Sequence, residues 1–305
     1  MKKEYEDYLK FIDEALELAK TLPRYFSKFS NKIYCNHQKM VIYVLMQKLK
    51  LTTRGIVSWL RSNSDARLHL GMHRVPVHTT IVRFCRRINL NIPKMLNIRT
   101  ATNVAVDATG FELESKSYYY RTIFNSDRRQ RTKRYMKLSL SVDTDKLLIL
   151  KYKIRKKFRH DTLDLKEVLK NLSLDYVRAD KGYDSPENRK FVINKLHAIP
   201  IIPVRRHTNF YGYKSIGKKI DGLSYHQRSK VETIFSVIKR KYGSVLRTRS
   251  FATQIVELTT KLVVYNLDRK LNYIYWLFSG LHQSLRTKDF YYKYILNLYD
   301  NLQGL

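Results

Sequence analysis

Apolar residues recur at helical spacing before about residue 100 and largely at strand spacing for some distance after it. Leu9, Ile12, Leu16 and Ala19 fall at steps of three and four, which predicts an amphipathic helix over 4–22, broken by Pro23. Met40 to Met46 is apolar all round and predicts a buried helix within 37–50. Thr52 or Thr53 caps a second helix through about Leu60, with Ile56, Val57 and Leu60 inward. After a turn at Ser62–Asp65, a short helix near Ala66–Leu70 stops at Gly71, and Val75-Pro76 is extended. Thr79 or Thr80 then starts a helix to about Ile88, with Arg83, Arg86 and Arg87 on the face away from Ile81, Val82, Cys85 and Ile88. Short helices, a turn and a basic helix fit a helix-turn-helix reader of DNA; they also fit a helical domain with a solvated basic face.

From about Thr102 the pattern changes. Val104-Ala105-Val106 is a short apolar run followed by Asp107 and the breaker Gly110. Ser117–Tyr120 reads as a strand or extended loop, and Met136–Val142 and Leu148–Ile154 alternate about Asp143–Lys146 as a hairpin. Asp161 is expected as the cap of a helix to about Asn171, with a site role as the alternative. Asp175–Tyr183 repeats the strand–Asp–Gly pattern around Asp180 and Gly182, and Asp184 to Glu187 caps a helix over 186–197 with Pro186 in its first position. Ile199–Val204 reads as an edge strand, because its prolines cannot donate to a central ladder. After a basic loop at 205–224, Val231, Ile234, Phe235 and Ile238 make the apolar face of a helix over 225–239. A long helix at about 253–272 turns Leu258, Leu262, Val263 and Tyr265 inward, and the aromatic-rich Ile274–Phe278 and Tyr291–Leu298 are core, stacking platforms or a subunit contact. The order β-β-β-α-β-α-β-α predicts an α/β fold with a mixed five-stranded sheet, preceded by an all-α part. The expected division is a helical N-terminal DNA-binding domain at 1–100, a catalytic domain at 101–272 and an aromatic-rich helical tail at 273–305.

Charge narrows the partner. The chain carries 59 Lys and Arg against 26 Asp and Glu, a net +33 that calls for a polyanion. The basic stretch with Arg129, Arg131, Lys133 and Arg134 is expected to order in part on phosphates, although it also reads as a solubilising charge run. The first twenty residues are acidic on balance, so they are expected to pack on the rest of the chain or on a second subunit. No apolar run is long enough to span a bilayer, and the start M-K-K-E-Y-E-D-Y lacks the basic-then-apolar order of a leader. Cys35 and Cys85 stand alone without a CxxC, which predicts reduced thiols in a cytoplasmic protein and no zinc site.

The chemistry lies in three carboxylates. An Asp just after a buried strand stands on the edge where open α/β sheets build sites, and Asp107 and Asp180 both do so. On the 225–239 helix, Glu232 and Lys239 stand roughly 40° and roughly 20° around the axis from Arg228, off the apolar face. That stripe alone also reads as a solvated charged face. Two Asp and one Glu brought together would repel one another without cations, and their hard oxygens suit Mg²⁺ or Mn²⁺.

Tyr225, Arg228, Glu232 and Lys239 match Y-x2-R-x3-E-x6-K, and V-D-A-T-G at Asp107 and A-D-K-G-Y-D-S at Asp180 precede them in order. Over about residues 100–270 the chain resembles the DDE transposases of bacterial and archaeal insertion sequences that carry this signature. The resemblance implies a ribonuclease-H-like catalytic domain, with Asp107 bridging two Mg²⁺ or Mn²⁺ ions and Asp180 and Glu232 each holding one. It implies double-stranded DNA as partner, Arg228 and Lys239 on phosphates, Tyr225 near the element's end, and hydrolysis that frees 3′-OH groups for transfer to target DNA. It also implies a homodimer or larger assembly at synapsis and a place at the nucleoid. The link between Asp180 and Glu232 has no room for the large β-rich insertion of some members, so schemes that need it, such as a hairpin route, do not carry over. The alternatives are a non-catalytic regulator descended from a transposase and a metal-dependent nuclease without strand transfer.

Overall fold

The structure, a computed structural model, describes residues 2–88, 98–114, 135–156, 159–204 and 226–284, with side chains from residue 8 to residue 272. The expected extended segment at 117–120, the basic loops at 121–134 and 205–224, and 291–298 lie outside the described residues.

Five helices precede the sheet: α1 (Lys2–Ala19), α2 (Asn36–Lys48), α3 (Thr53–Ser62), α4 (Ser64–His69) and α5 (His78–Arg87). Local chemistry sets their ends. Cys35 and Gln38 form a reciprocal capping box on α2, and Thr52 accepts the Gly55 N–H at the start of α3. Gly71 takes the positive φ of +62° just past α4, where a side chain would be strained. Every residue from Met40 to Met46 is buried, as the all-round apolar pattern of α2 requires.

The sheet contains β1 (Thr100–Leu113), β2 (Tyr135–Asp143), β3 (Leu148–Arg155), β4 (Ser173–Ala179), β5 (Ile199–Ile201) and β6 (Val245–Leu246). The order is β3-β2-β1-β4-β5, with β6 paired to the end of β1. β1, β2 and β3 are antiparallel neighbours, whereas β4 and β5 add in parallel. The short helices α6 (Leu165–Leu169) and α7 (Pro186–Leu196) lead into β4 and β5, and α8 (Ser229–Tyr242) and α9 (Phe251–Ser284) follow.

Alternation along the strands divides the core in two. Ala105, Phe111, Leu138, Leu140 and Val142 face one apolar cluster with α8, α9 and the N-terminal helices. Val104, Val106, Leu150, Val177 and Ala179 face a second cluster with α6 and α7. The N-terminal helices therefore share a core with one face of the sheet. Asp268 on α9 joins them by polar contacts, pairing with Lys48 of α2 and accepting the Tyr242 hydroxyl of α8 at 2.6 Å. Among the described residues no helix is long and apolar enough to cross a membrane.

Several expectations need correction. Gly110 does not end β1: it pairs with Lys137, and a Cβ there would stand 3.0 Å from the Tyr135 ring, so the glycine makes room across the strands. The sheet has a sixth strand, because β6 adds to β1 at Glu112 and Leu113. Asp161 caps no helix; it opens a 3-10 turn, Asp161–Leu163, and pairs with Lys137 at 2.6 Å. Ser185, not Asp184, caps α7, and Asp184 is buried against Arg189 at 2.8 Å. Helix α9 runs past 272 to Ser284 without a break.

Candidate active site

Val106 and Ala179 are the last Cα partners between β1 and β4. Asp107 and Asp180 are the next residue on each strand, so the two acids flank the point where β4 stops while β1 continues against β2, with Asp107 opposite Leu140. By alternation Asp107 lies on the face of Ala105 and Phe111, the face that α8 covers.

Helix α8 is seated there by Val231, Ile234, Phe235 and Ile238, all buried. Its start is tied to the β2–β3 turn, where Lys230 Nζ donates to the Thr144 carbonyl at 2.9 Å and Thr144 Oγ1 lies 3.3 Å from Gln227 Oε1. This seating puts Arg228, the cap residue, between two of the acids. Its Nη1 stands 3.6 Å from Asp107 Oδ2 and its Nη2 stands 2.8 Å from Glu232 Oε1. Glu232 lies in the first helical turn, where the dipole favours a carboxylate, and remains 54% exposed, against 21% for Asp107. Lys239 lies in the last turn, and its Nζ donates to Thr109 Oγ1 at 2.6 Å.

Burial pushes the Asp107 carboxyl up to about 6, and the charges of Glu232 and Asp180 add to the rise; the Ala108 N–H and Arg228 oppose it. Asp180 accepts the N–H of Lys181 at 2.7 Å and caps the 3-10 turn Lys181–Tyr183. Burial lowers the pKa of Lys239, and nearby Glu112 opposes that shift.

A second polar group lies behind this edge. Asp164, fully buried, accepts from Arg155 at 2.5 Å and from Ser139 at 3.1 Å, and Lys137 stands 3.0 Å away. Burial pushes its carboxyl up, but the bonds from Arg155 and Lys137 outweigh that and hold it below the usual range. Thr162 Oγ1 donates to the Gly182 carbonyl at 3.0 Å, which brings the Asp161 turn against the Asp180 turn. Tyr183 is buried beside them, and among the described residues its hydroxyl has no partner; burial, then Asp161 and Asp107, raise its pKa. Sequence reading missed Lys137, Asp164 and Tyr183. The available signal was a lysine at an inward position of an alternating strand.

Of the residues picked out in the sequence, the fold ties Asp107, Arg228 and Glu232 directly together and sets Asp180 beside Asp107 in register. Lys239 is held apart on Thr109. Arg83, Arg86 and Arg87 are exposed on α5, opposite buried Ile81, Phe84 and Cys85. Tyr225, Arg129, Arg131, Lys133 and Arg134 lie outside the described residues.

Among the described residues no three or more His, Cys, Asp or Glu side chains are gathered to hold an ion. Asp107, Asp180 and Glu232 nevertheless suit a hard divalent cation in kind. They offer only carboxylate oxygens, Asp107 feels the charge of the other two, and the site already draws a cation, Arg228, between Asp107 and Glu232.

The transposase DDE domain family matches residues 99–267, more than half of the chain. The chain belongs to that family and is a transposase by its domain. No curated protein matches it in sequence. Among solved structures it is similar to the piggyBac transposase, seen by cryo-EM in a synaptic complex with hairpin DNA, at 11% identity and a TM-score of 0.48, over 85% of this chain and 71% of that one.

Proposed function

We propose that this transposase cuts the ends of an insertion sequence and joins the freed 3′-OH ends to target DNA. The observation that carries the reading is the placement of Asp107 and Asp180 as adjacent residues past the last β1–β4 pair, with Glu232 linked to Asp107 through Arg228. The strand order, three antiparallel strands and then two parallel ones, supports a ribonuclease-H-like catalytic domain at 101–272. The exposed arginines of α5 support a DNA-binding role for residues 1–100.

Asp107, Asp180 and Glu232 would hold the Mg²⁺ or Mn²⁺ ions. When bound, such ions activate a water and stabilise the leaving oxygen of a phosphodiester. The chain's own contribution is positioning: Arg228 suits bidentate phosphate contact and Lys239 a point contact, while Tyr225 orients the DNA end. Arg129, Arg131, Lys133 and Arg134 of the basic 121–134 stretch bind phosphates. The partner is double-stranded DNA, engaged by a homodimer or larger assembly, at the nucleoid of the cytoplasm.

The test is Mg²⁺- or Mn²⁺-dependent cleavage of DNA carrying the element's own ends, with wild type beside Glu232→Gln. Cleavage by wild type, and binding without cleavage by the variant, supports the reading; strand transfer of pre-cut ends then separates a transposase from a plain nuclease. Binding by both with cleavage by neither makes the non-catalytic regulator the better reading.

A further inference from the structure

We propose that Arg228 is a built-in counter-ion of the carboxylate pair, exchanged for a divalent ion at the moment the site is charged and then released to the DNA. This rests on the reading of Asp107 and Glu232 as metal ligands. One guanidinium contacts both acids, at 3.6 Å and 2.8 Å, one on β1 and the other on α8. Asp107 is mostly buried, where an unpaired carboxylate is costly, and Arg228 joins the Ala108 N–H, 2.8 Å from Oδ1, in offsetting that cost. The same oxygens that would bind an ion are the ones Arg228 holds, so guanidinium and ion compete for them.

The geometry also leaves a way out towards DNA. Glu232 is half exposed and marks the solvent rim of the site, while Arg228, which precedes the first turn of α8, is as covered as Asp107, 20% against 21%, and reaches from the rim down to it. A guanidinium displaced from carboxylates retains its affinity for a planar pair of phosphate oxygens. Metal binding and DNA binding thereby become coupled, each favouring the other, and the coupling is reciprocal by linkage. A protein with such a large positive charge meets DNA wherever it goes, and this exchange would give a tight grip at the catalytic point only to a site that is loaded with metal.

The test is Mn²⁺ binding without DNA, read by electron paramagnetic resonance or calorimetry on the full chain: wild type, Arg228→Gln, Arg228→Lys and Glu232→Gln, with far-ultraviolet circular dichroism to show that each folds. Arg228→Gln should bind Mn²⁺ about two- to fivefold more tightly, the fold-change a partly exposed ion pair is worth, and Arg228→Lys should stay near wild type. With Ca²⁺ replacing Mn²⁺, wild type should hold a short duplex more tightly than in chelator, and Arg228→Gln should lose that gain. Weaker or unchanged Mn²⁺ binding in Arg228→Gln, together with weaker binding in Glu232→Gln, overturns the exchange and leaves the metal site standing. If Glu232→Gln has no effect on Mn²⁺ binding, the metal-site reading falls, and the exchange with it.

Discussion

Lys239 Nζ donates to Thr109 Oγ1 at 2.6 Å, tying the last turn of α8 to β1 two residues beyond Asp107. A Val at 109 has nearly the same shape and no acceptor. Thr109→Val is expected to cost about 1–2 kcal/mol, as for a hydrogen bond to a partly buried charge, read from urea melts. A loss below about 0.3 kcal/mol, within ordinary surface scatter, would mean that this bond does not hold the helix.

Two acids of this domain should respond to pH in opposite senses. Asp107 is raised from 3.8 to about 6, so the metal-free folded state binds its proton more tightly than the unfolded state. Its contribution is present at low pH and is lost as pH rises between about 4 and about 6, by roughly 2–3 kcal/mol. Asp164 is lowered, so its contribution is present above the usual carboxylate range and is lost as pH falls through its folded pKa. Denaturant melts in chelator at several pH values check both. Asp107→Asn should gain on wild type as pH rises to about 6, and Asp164→Asn should lose least at acid pH. A pH-independent difference for either variant contradicts the assignment.

Asp184 and Arg189 form a buried pair at 2.8 Å, and Arg189 also donates to the Ile202 carbonyl at 2.6 Å. Asp184→Ala leaves a guanidinium without its carboxylate and should cost about 3–5 kcal/mol. If stability stays within about 1 kcal/mol of wild type, the pair is not structural.

The exposed arginines of α5 make a quantitative demand on DNA binding. If Arg83, Arg86 and Arg87 each touch a phosphate, the triple alanine variant should flatten the plot of log affinity against log salt by about 2.7, at about 0.9 per contact. An unchanged slope, measured by fluorescence anisotropy, would assign that face to solvent.

The apolar pattern alone located most elements. The inward residues of α3 and α8 are buried where their spacing places them, because a helix with one apolar face has a single way to bury it, and α2, apolar all round, is buried throughout Met40–Met46. The hairpin of β2 and β3 followed from alternation and the edge position of β5 from proline, while its parallel pairing with β4 came only with the fold. Where the reading failed, a competing side chain decided the outcome, distant in sequence for Gly110 and Asp161 and five residues away for Asp184. Gly110 reads as a breaker until the Tyr135 ring lies across it. Asp161 and Asp184 each read as a cap until Lys137 and Arg189 claim them. In the candidate site, residue types and spacing picked out Asp107, Asp180, Arg228 and Glu232, since an acid after an apolar run and a charged stripe off an apolar helix face are local signals; Asp180 does follow the end of β4, whereas Asp107 lies inside β1, which runs on to Leu113 against β2.

The sequence by itself determined the elements, the charge and the acids, because these depend on local spacing and composition. Only the tertiary structure decided that β4 stops beside Asp107, that Arg228 stands between Asp107 and Glu232, and that Lys137 and Asp164 lie buried behind them. Those relations come from strand register and from the seating of α8 on the sheet, which are set by packing between segments far apart in the chain.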